Sequence, residues 1–192
     1  MIGVLINVLT LVCVLWIFRP YPDNAGWNKW WLVSDAAAET APAAAATPAA
    51  KTSGIKGRHI RIFIKGKGIL NLAEVQVFSG ADNIASQGTA TQSSEEWGGT
   101  PDLAIDGNTD GIFDHKSVTH TQGNQSDPSW QLDLGRELML NEIIIWNRTD
   151  KAEYSDRLKN FTVQVLNAQQ SVTWEKTVNE VPTPNVKLVP GE

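Results

Sequence analysis

The sequence predicts an all-β sandwich from residue 58 to residue 192, preceded by an apolar segment and a linker. Three observations lead to this fold class. Apolar residues recur at every second position in several short runs, which is the side-chain period of a β-strand. Gly, Asn, Asp and Pro separate these runs at the spacing typical of antiparallel sheets. No stretch of this region has the longer period of an amphipathic helix, and about 130 residues suffice for one core.

Residues 1–33 are predicted to form a single-pass membrane anchor. The apolar run at 2–18 reaches about 25 Å as a helix, slightly less than a hydrocarbon core of about 30 Å. Pro20 ends it, and Trp27, Trp30 and Trp31 are typical of the membrane interface. The alternative is a cleaved secretory signal, but a basic segment before the run and a small-residue cleavage site directly after it are both missing.

This anchor predicts a membrane location with the β-domain in the periplasm or the extracellular space. Arg19 and Lys29 follow the apolar run, and the positive-inside rule alone would give the opposite orientation. Residues 34–57 alternate alanine with proline and threonine and contain no aromatic residue. Such a composition cannot bury enough surface to form a core, so this segment is predicted to be a spacer.

The candidate strands begin with the alternating Ile60, Ile62 and Ile64. A second strand is predicted over 70–77, with a bulge at Ala73 and Glu74 where the alternation breaks. The remaining candidates share β-branched and aromatic residues between turn signals. They cover 130–134, 142–146, 161–166, 172–178 and 186–189.

Composition and motifs exclude several function classes. The net charge of −5 lacks the basic footprint of a nucleic-acid-binding domain. Cys13 is the single cysteine, so no intrachain disulfide can form. The sequence has no nucleophile-elbow, phosphate-loop or zinc-protease motif, and His59, His115 and His120 lack metal-ligand spacing. The chain is therefore predicted not to be an enzyme.

Three segments carry a resemblance to a known family. The runs at 83–85, 90–94 and 104–108 are similar to the opening of discoidin (coagulation factor 5/8 C-type) domains, in particular the F-type lectin (fucolectin) branch. The resemblance covers roughly 58–190 and implies a discoidin-like jelly roll. The segment 70–78 resembles the strand that closes many F-type domains, so its early place in this chain implies a permuted order.

The loop from 106 to 111 is the candidate cation site. Calcium prefers six to eight oxygen ligands, and glycines at 107 and 111 permit a tight turn. Candidate side-chain or main-chain oxygens belong to Glu74, Asp106, Asn108 and Ser117. The family resemblance implies a structural calcium ion and adds the carbonyls of Leu103 and Ala73. The alternative is an ordinary turn, since Asx and Gly dominate turns.

The resemblance also implies a sugar site, because F-type lectins bind fucose with one histidine and two arginines. His120, Arg148 with Asp150, and Arg157 match that pattern, with Asp150 orienting an arginine. Arg157 comes two positions late, and the loop before it lacks the adjacent cysteine pair of many F-type lectins. Tyr154 is the candidate replacement as an apolar platform for the sugar. The alternative is an internal Arg148–Asp150 ion pair without a ligand.

Two functions remain open from the sequence. The first is a membrane-anchored, calcium-stabilised module that binds a fucose-type carbohydrate. The second is a structural subunit of a larger membrane complex, for example a bioenergetic one, whose sandwich docks on a protein partner at the periplasmic face. The expected partner is accordingly a glycan or a membrane protein, and the fold alone cannot decide between them.

Overall fold

The computed structural model describes residues 54–191. The predicted anchor at 1–33 and most of the predicted linker lie outside the described residues. Within 54–191, no helix has both the length and the apolar character needed to cross a membrane. The first strand starts at Ile55, before the predicted domain boundary at residue 58.

The described chain is built from eleven strands and four short helical segments. The strands are β1 (Ile55–Ile64), β2 (Lys67–Gly68), β3 (Glu74–Ser79), β4 (Asp82–Asn83), β5 (Thr89–Gln92), β6 (Gln125–Ser126), β7 (Ser129–Leu140), β8 (Glu142–Trp146), β9 (Phe161–Leu166), β10 (Val172–Val178) and β11 (Asn185–Leu188). The 3₁₀ helices are Ala85–Gln87, Pro101–Ala104 and Phe113–His115, and α1 is Ala152–Ser155.

Two antiparallel sheets form the predicted sandwich. The five-stranded sheet has the order β10-β9-β1-β7-β5, the four-stranded sheet has the order β11-β8-β3-β4, and β2 pairs with β6. Alternate residues of β7, β8 and β9 point into a common core, as the period-two pattern requires. Ile62, for example, lies opposite Trp130 on one side and Val163 on the other, and all three are fully buried. The all-β prediction is confirmed.

The predicted strand at 70–77 is wrong in its first half. The strand begins at Glu74, and its register with β8 is continuous, without the predicted bulge. Residues 70–72 instead run beside 119–121. The Thr119 amide donates to the Leu72 carbonyl at 2.9 Å, and the Thr121 amide to the Leu70 carbonyl at 3.2 Å. In return, the hydroxyl oxygens of Thr119 and Thr121 accept the Leu72 and Leu70 amides at 3.0 and 2.8 Å.

Trp130 connects the core to the loops at one end of the sandwich. Its ring is fully buried in β7, and its indole Nε1 donates to the Pro101 carbonyl at 2.9 Å. This bond fixes the 3₁₀ helix Pro101–Ala104, which directly precedes the candidate cation loop. The core therefore sets the position of the loops that carry the candidate site.

Candidate functional site

All five predicted sugar-binding residues meet at one cavity of about 340 Å³ at the loop end of the sandwich. One wall comes from the segment that follows the 3₁₀ helix Phe113–His115, and the other from the chain after β8 with α1. The lining residues are Trp97, Phe113, Asp114, His120, Arg148, Asp150, Lys151, Tyr154 and Arg157.

His120 presents a hydrogen-bond acceptor to this cavity. Its Nδ1 lies 2.7 Å from the Thr121 carbonyl, and because a carbonyl only accepts, Nδ1 carries the proton. Nε2 is then an acceptor, and Arg157 Nη1 approaches it at 3.4 Å. Burial lowers the pKa of His120 below its ordinary value, and the nearby charges of Arg157 and Arg148 lower it further. The imidazole is therefore held neutral at neutral pH.

Arg148 is fixed by a two-pronged ion pair with Asp150. Nε lies 2.6 Å from Oδ1 and Nη2 lies 2.7 Å from Oδ2, and only 5% of Arg148 is exposed. The hydrogen bond from Arg148 lowers the pKa of the Asp150 carboxyl. The guanidinium also lies over the rings of Phe113 and Tyr154, at 4.5 and 4.1 Å from their centroids. The ion pair uses Nε and Nη2, so the Nη1 donors remain outside it.

Arg157 lines the same cavity, although it comes two positions later in the sequence than the family spacing. The turn of α1 shortens the path, with the Asp156 amide bonded to the Ala152 carbonyl at 2.9 Å and the Arg157 amide to the Tyr154 carbonyl at 3.3 Å. The Arg157 guanidinium lies over the Tyr154 ring at 4.5 Å. Burial lowers the pKa of Arg157, and the charge of Arg148 lowers it further. The Tyr154 ring thus contacts both guanidinium groups, those of Arg148 and Arg157, which carry like charges. The sequence did not predict this role.

Several residues of the site were missed by sequence reasoning. Asn71 is buried, donates to the Thr119 carbonyl at 2.8 Å and accepts from Arg157 Nη1 at 3.1 Å. Phe113 meets His120 edge to face, with the ring centroids 5.5 Å apart. Gly99 lies so close to His120 that an added Cβ would be 2.4 Å from the His120 amide nitrogen. A polar residue between two core leucines was the available signal for Asn71.

The candidate cation site contains an unsatisfied buried carboxylate. Glu74 opens β3, is 1% exposed, and its Oε2 has no hydrogen-bond partner among the described residues. Burial raises the pKa of Glu74 to about 8, and the charge of Asp106 adds to this rise, while a hydrogen bond from the Gly107 amide opposes it. A buried acid whose ionised form is disfavoured and whose Oε2 lacks a partner within residues 54–191, beside the exposed Asp106, is a suitable environment for a cation.

The loop that carries the other candidate ligands is rigidly folded. Asp106 Oδ1 accepts the Asn108 amide at 2.8 Å, and Asn108 Oδ1 accepts the Asp110 amide at 3.1 Å. The Ser117 hydroxyl donates to the carbonyls of Asp110 and Ile112 at 2.6 and 3.0 Å. Leu103 lies in the 3₁₀ helix before the loop, and Ala73 directly precedes Glu74. The loop therefore forms a turn, and the candidate ligand residues lie in this turn, next to it or hydrogen-bonded to it.

Carboxylates alone do not complete this site. Over 54–191 there is no group of three or more His, Cys, Asp or Glu side chains that could hold a metal ion. A cation here would need amide, hydroxyl and main-chain oxygens beside Glu74 and Asp106, which is the ligand type that calcium accepts. The same loop is attached to the segment between Arg148 and Asp150, which line the cavity beside His120, since the Thr149 amide donates to the Gly111 carbonyl at 2.8 Å.

Comparison with known proteins identifies the family. A family model described as an F5/F8 type C, NedA-like galactose-binding domain matches residues 103–189. Fucolectin-6 and Fucolectin-1 of Anguilla japonica are 40% and 39% identical over 74 residues, which is 36% of this chain. The match covers 39% and 41% of those two proteins, so the chain spans about two fifths of the curated relatives.

Two solved structures extend the comparison. The lectin domain of lectinolysin complexed with Lewis B antigen is 32% identical, with a TM-score of 0.54, over 56% of this chain and 76% of that domain. A Streptococcus pneumoniae fucose binding module is 34% identical, with a TM-score of 0.52, over 58% of this chain and 78% of the module. These relatives are described as lectins and binding modules, in agreement with the prediction of a non-enzyme. The chain belongs to the coagulation factor 5/8 C-type (discoidin) family, in its F-type lectin-like branch.

Proposed function

We propose that the chain is a non-catalytic carbohydrate-binding module that holds a fucose-type sugar in the cavity beside His120. The observation that carries this proposal is the convergence of His120, Arg148 and Arg157 on one cavity. The relatives named as fucolectins and as a fucose binding module support the same ligand class. They also favour a glycan ligand over the alternative function, in which the sandwich docks on a protein partner within a membrane complex.

The chemistry of the cavity suits a sugar hydroxyl pattern. A hydroxyl both donates and accepts, so neighbouring hydroxyls need an acceptor and donors at fixed positions. The neutral Nε2 of His120 supplies the acceptor, and the guanidinium groups of Arg148 and Arg157 supply the donors. Asp150 keeps Arg148 in place through the ion pair at 2.6 and 2.7 Å. A cavity of about 340 Å³ lies in the size range of small-ligand sites.

The proposal includes a structural calcium ion beside the sugar cavity. Glu74 and Asp106 would supply carboxylate oxygens, because the buried Glu74 Oε2 lacks a partner within the described part of the chain. The further ligands would be Asn108, Ser117 and the carbonyls of Leu103 and Ala73. A bound calcium ion would neutralise the two carboxylates and fix the loop to β3. The hydrogen bond from the Thr149 amide to the Gly111 carbonyl would then restrict the movement of the neighbouring Arg148.

The remaining part of the proposal concerns location. Residues 1–33 would hold the module at a membrane, with residues 34–54 as spacer and the module in the periplasm or the extracellular space. The support is the apolar run at 2–18, followed by Trp27, Trp30 and Trp31.

Calorimetric titration of L-fucose into the calcium-saturated full chain tests the sugar proposal. We expect saturable heat from the wild type and at least about a tenfold weaker affinity for Arg148→Ala, because charged hydrogen bonds contribute about 1.5–3 kcal/mol each. Arg148→Lys keeps the charge but loses the two-pronged pair, so it should also bind more weakly. Arg136→Ala is the matched control, since Arg136 is exposed in β7 and lines a different cavity.

The variants separate loss of binding from loss of folding. Melting temperatures are measured for each, because Arg148→Ala leaves Asp150 without its partner. A folded wild type that gives no heat with L-fucose would contradict the proposal. Unchanged fucose affinity in both folded Arg148 variants would contradict the assigned site.

A further inference from the structure

The edge of β7 that faces β5 is only partly covered. β7 has twelve residues, whereas β5 has four and pairs with residues 130–133. The chain enters β5 from the 3₁₀ helix Ala85–Gln87, so it does not run beside the rest of β7. β5 is the last strand in the sheet order, and β1 pairs with 138–140 on the other side of β7. Among the strands of the described chain, none pairs with 134–140 on the β5 side, which we name the open β7 edge.

The open β7 edge has the length of an ordinary strand pairing. Seven residues at about 3.3 Å each extend over about 23 Å, and strands in globular proteins commonly have about 5–6 residues. An unpaired strand edge presents main-chain N–H and C=O groups that can pair with another chain. A further strand could therefore lie in line with β5 and complete the sheet beside β7.

A cavity of about 300 Å³ lies along the open β7 edge. It is lined by Ile84, Gln87, Leu134, Gly135, Arg136 and Leu138. Ile84 and Leu134 belong to the hydrophobic core, and Leu138 packs against the core while staying only partly buried. An apolar side chain placed in this cavity would extend the core, and the burial of apolar surface is favourable.

Arg136 gives this cavity a positive charge. The residue is exposed, and the described residues 54–191 contain no ion pair that includes it. Charged residues at an open edge disfavour unspecific pairing, because an apolar strand would bury the charge without a partner. A strand that carries a carboxylate avoids this cost, since carboxylates form strong hydrogen bonds with arginine. Arg136 therefore selects for an acidic partner.

We propose that the open β7 edge binds an extended segment of another protein by strand addition. The segment places an apolar side chain in the cavity and a carboxylate on Arg136. Main-chain hydrogen bonds supply affinity in this mode of recognition, and side-chain contacts supply specificity. Alternate residues of a strand share a face, so the apolar and the acidic residue stand two positions apart in the segment.

A second copy of this chain is a poorer occupant of the same edge. In a symmetric pair both copies would use the same edge, so the two Arg136 side chains would approach each other. Like charges on neighbouring strands are destabilising. The site is also separate from the sugar cavity, because β7 begins at the loop end near Trp130 and 134–140 lie toward its other end. The inference thus goes beyond the proposed function and does not depend on it.

The test uses random twelve-residue peptides displayed on phage and selected on the full chain. Selected peptides are synthesised with a fluorescent label, and fluorescence polarisation gives their affinity for the wild type and for Arg136→Glu. The matched control is Lys176→Glu, because Lys176 is exposed on β10 at the opposite edge of the sheet. We expect the peptides to share an apolar and an acidic residue two positions apart. Their binding should weaken at least about tenfold in Arg136→Glu and stay unchanged in Lys176→Glu.

A charge exchange and hydrogen exchange complete the test. A peptide with lysine in place of its acidic residue should prefer Arg136→Glu over the wild type, and bound peptide should slow amide exchange within 134–140. A selection without a common pattern would overturn the inference. So would equal binding to the wild type and Arg136→Glu, or protection confined to other segments. L-fucose affinity, measured on the same variants, should not change, so a failure of the sugar proposal is seen separately.

Discussion

The protonation state of a single residue, His120, determines how the proposed sugar site responds to pH. Burial lowers the pKa of His120, so the imidazole takes up its proton at a lower pH than an ordinary histidine, whose pKa is about 6.5. Only the neutral form offers Nε2 as an acceptor. We expect fucose affinity to fall on acidification as Nε2 takes a proton, with the midpoint of the fall below the ordinary histidine pKa of about 6.5.

A pH series of fucose titrations measures this profile, and an NMR titration of the imidazole signals measures the pKa of His120 without ligand. A decline in affinity that is already complete at pH 6.5, or an imidazole of His120 that titrates above its ordinary value, would contradict the assigned role.

At the same scale, the sequence identified the residues with a recognisable chemical pattern. His120, Arg148, Asp150, Tyr154 and Arg157 all line one cavity, although Arg157 comes two positions later than the family spacing. Asn71, Trp97 and Gly99 were not predicted, because their importance depends on where other segments place them. Asn71, for example, lies 86 positions from its partner Arg157. No local pattern contains such a contact.

At the scale of elements, the candidate cation loop meets β3 at Glu74, beside the charge of Asp106 and the Gly107 amide. Burial and Asp106 raise the pKa of Glu74, so a cation bound there would favour its ionised form. We expect calcium to raise the melting temperature of the full chain and a chelator to lower it. A site saturated at one hundred times its dissociation constant adds about 2.7 kcal/mol of stability.

Asp106→Asn should lose most of this calcium response. Asp102→Asn is the matched control, because Asp102 is an exposed acidic residue in the neighbouring 3₁₀ helix. Glu74→Gln should raise the melting temperature in chelator, because the rise of the Glu74 pKa to about 8 means that this side chain must take up a proton to fold near neutral pH, and glutamine removes that cost. A chelator without effect on the wild type, or a full response in Asp106→Asn, would refute the calcium proposal.

The strands show where sequence patterns define an element and where they do not. Three strands, β8, β9 and β10, have the predicted bounds, and β11 lies one residue earlier than predicted. These bounds could be predicted because the strands are rich in β-branched residues and are flanked by turns. The first residues of β1, from Ile55, were assigned to the linker, since glycine and lysine break the alternation there. The segment 70–72 looked like a strand, but its amides bond to threonine side chains instead of a sheet.

At the scale of the whole molecule, the prediction concerns the attachment of the module to a membrane through residues 1–33. If residues 1–33 form an anchor, we expect the full chain to stay with membranes after an alkaline wash and a chain without 1–33 to be released. Sugar binding by the released protein is the control for its folding. An N-terminal sequence of the mature protein that starts beyond residue 18 would show a cleaved signal and refute the anchor.

The pairing of residues 70–72 with 119–121 has a consequence for how such modules diversify. Thr119 and Thr121 face the leucine segment and bond to it, while His120 between them faces the cavity. Alternate positions of one short segment therefore differ in task, since two of them attach it to the leucine segment and the one between them would contact the proposed ligand. On the proposed function, a substitution at position 120 would change the ligand chemistry and leave both threonine bonds in place.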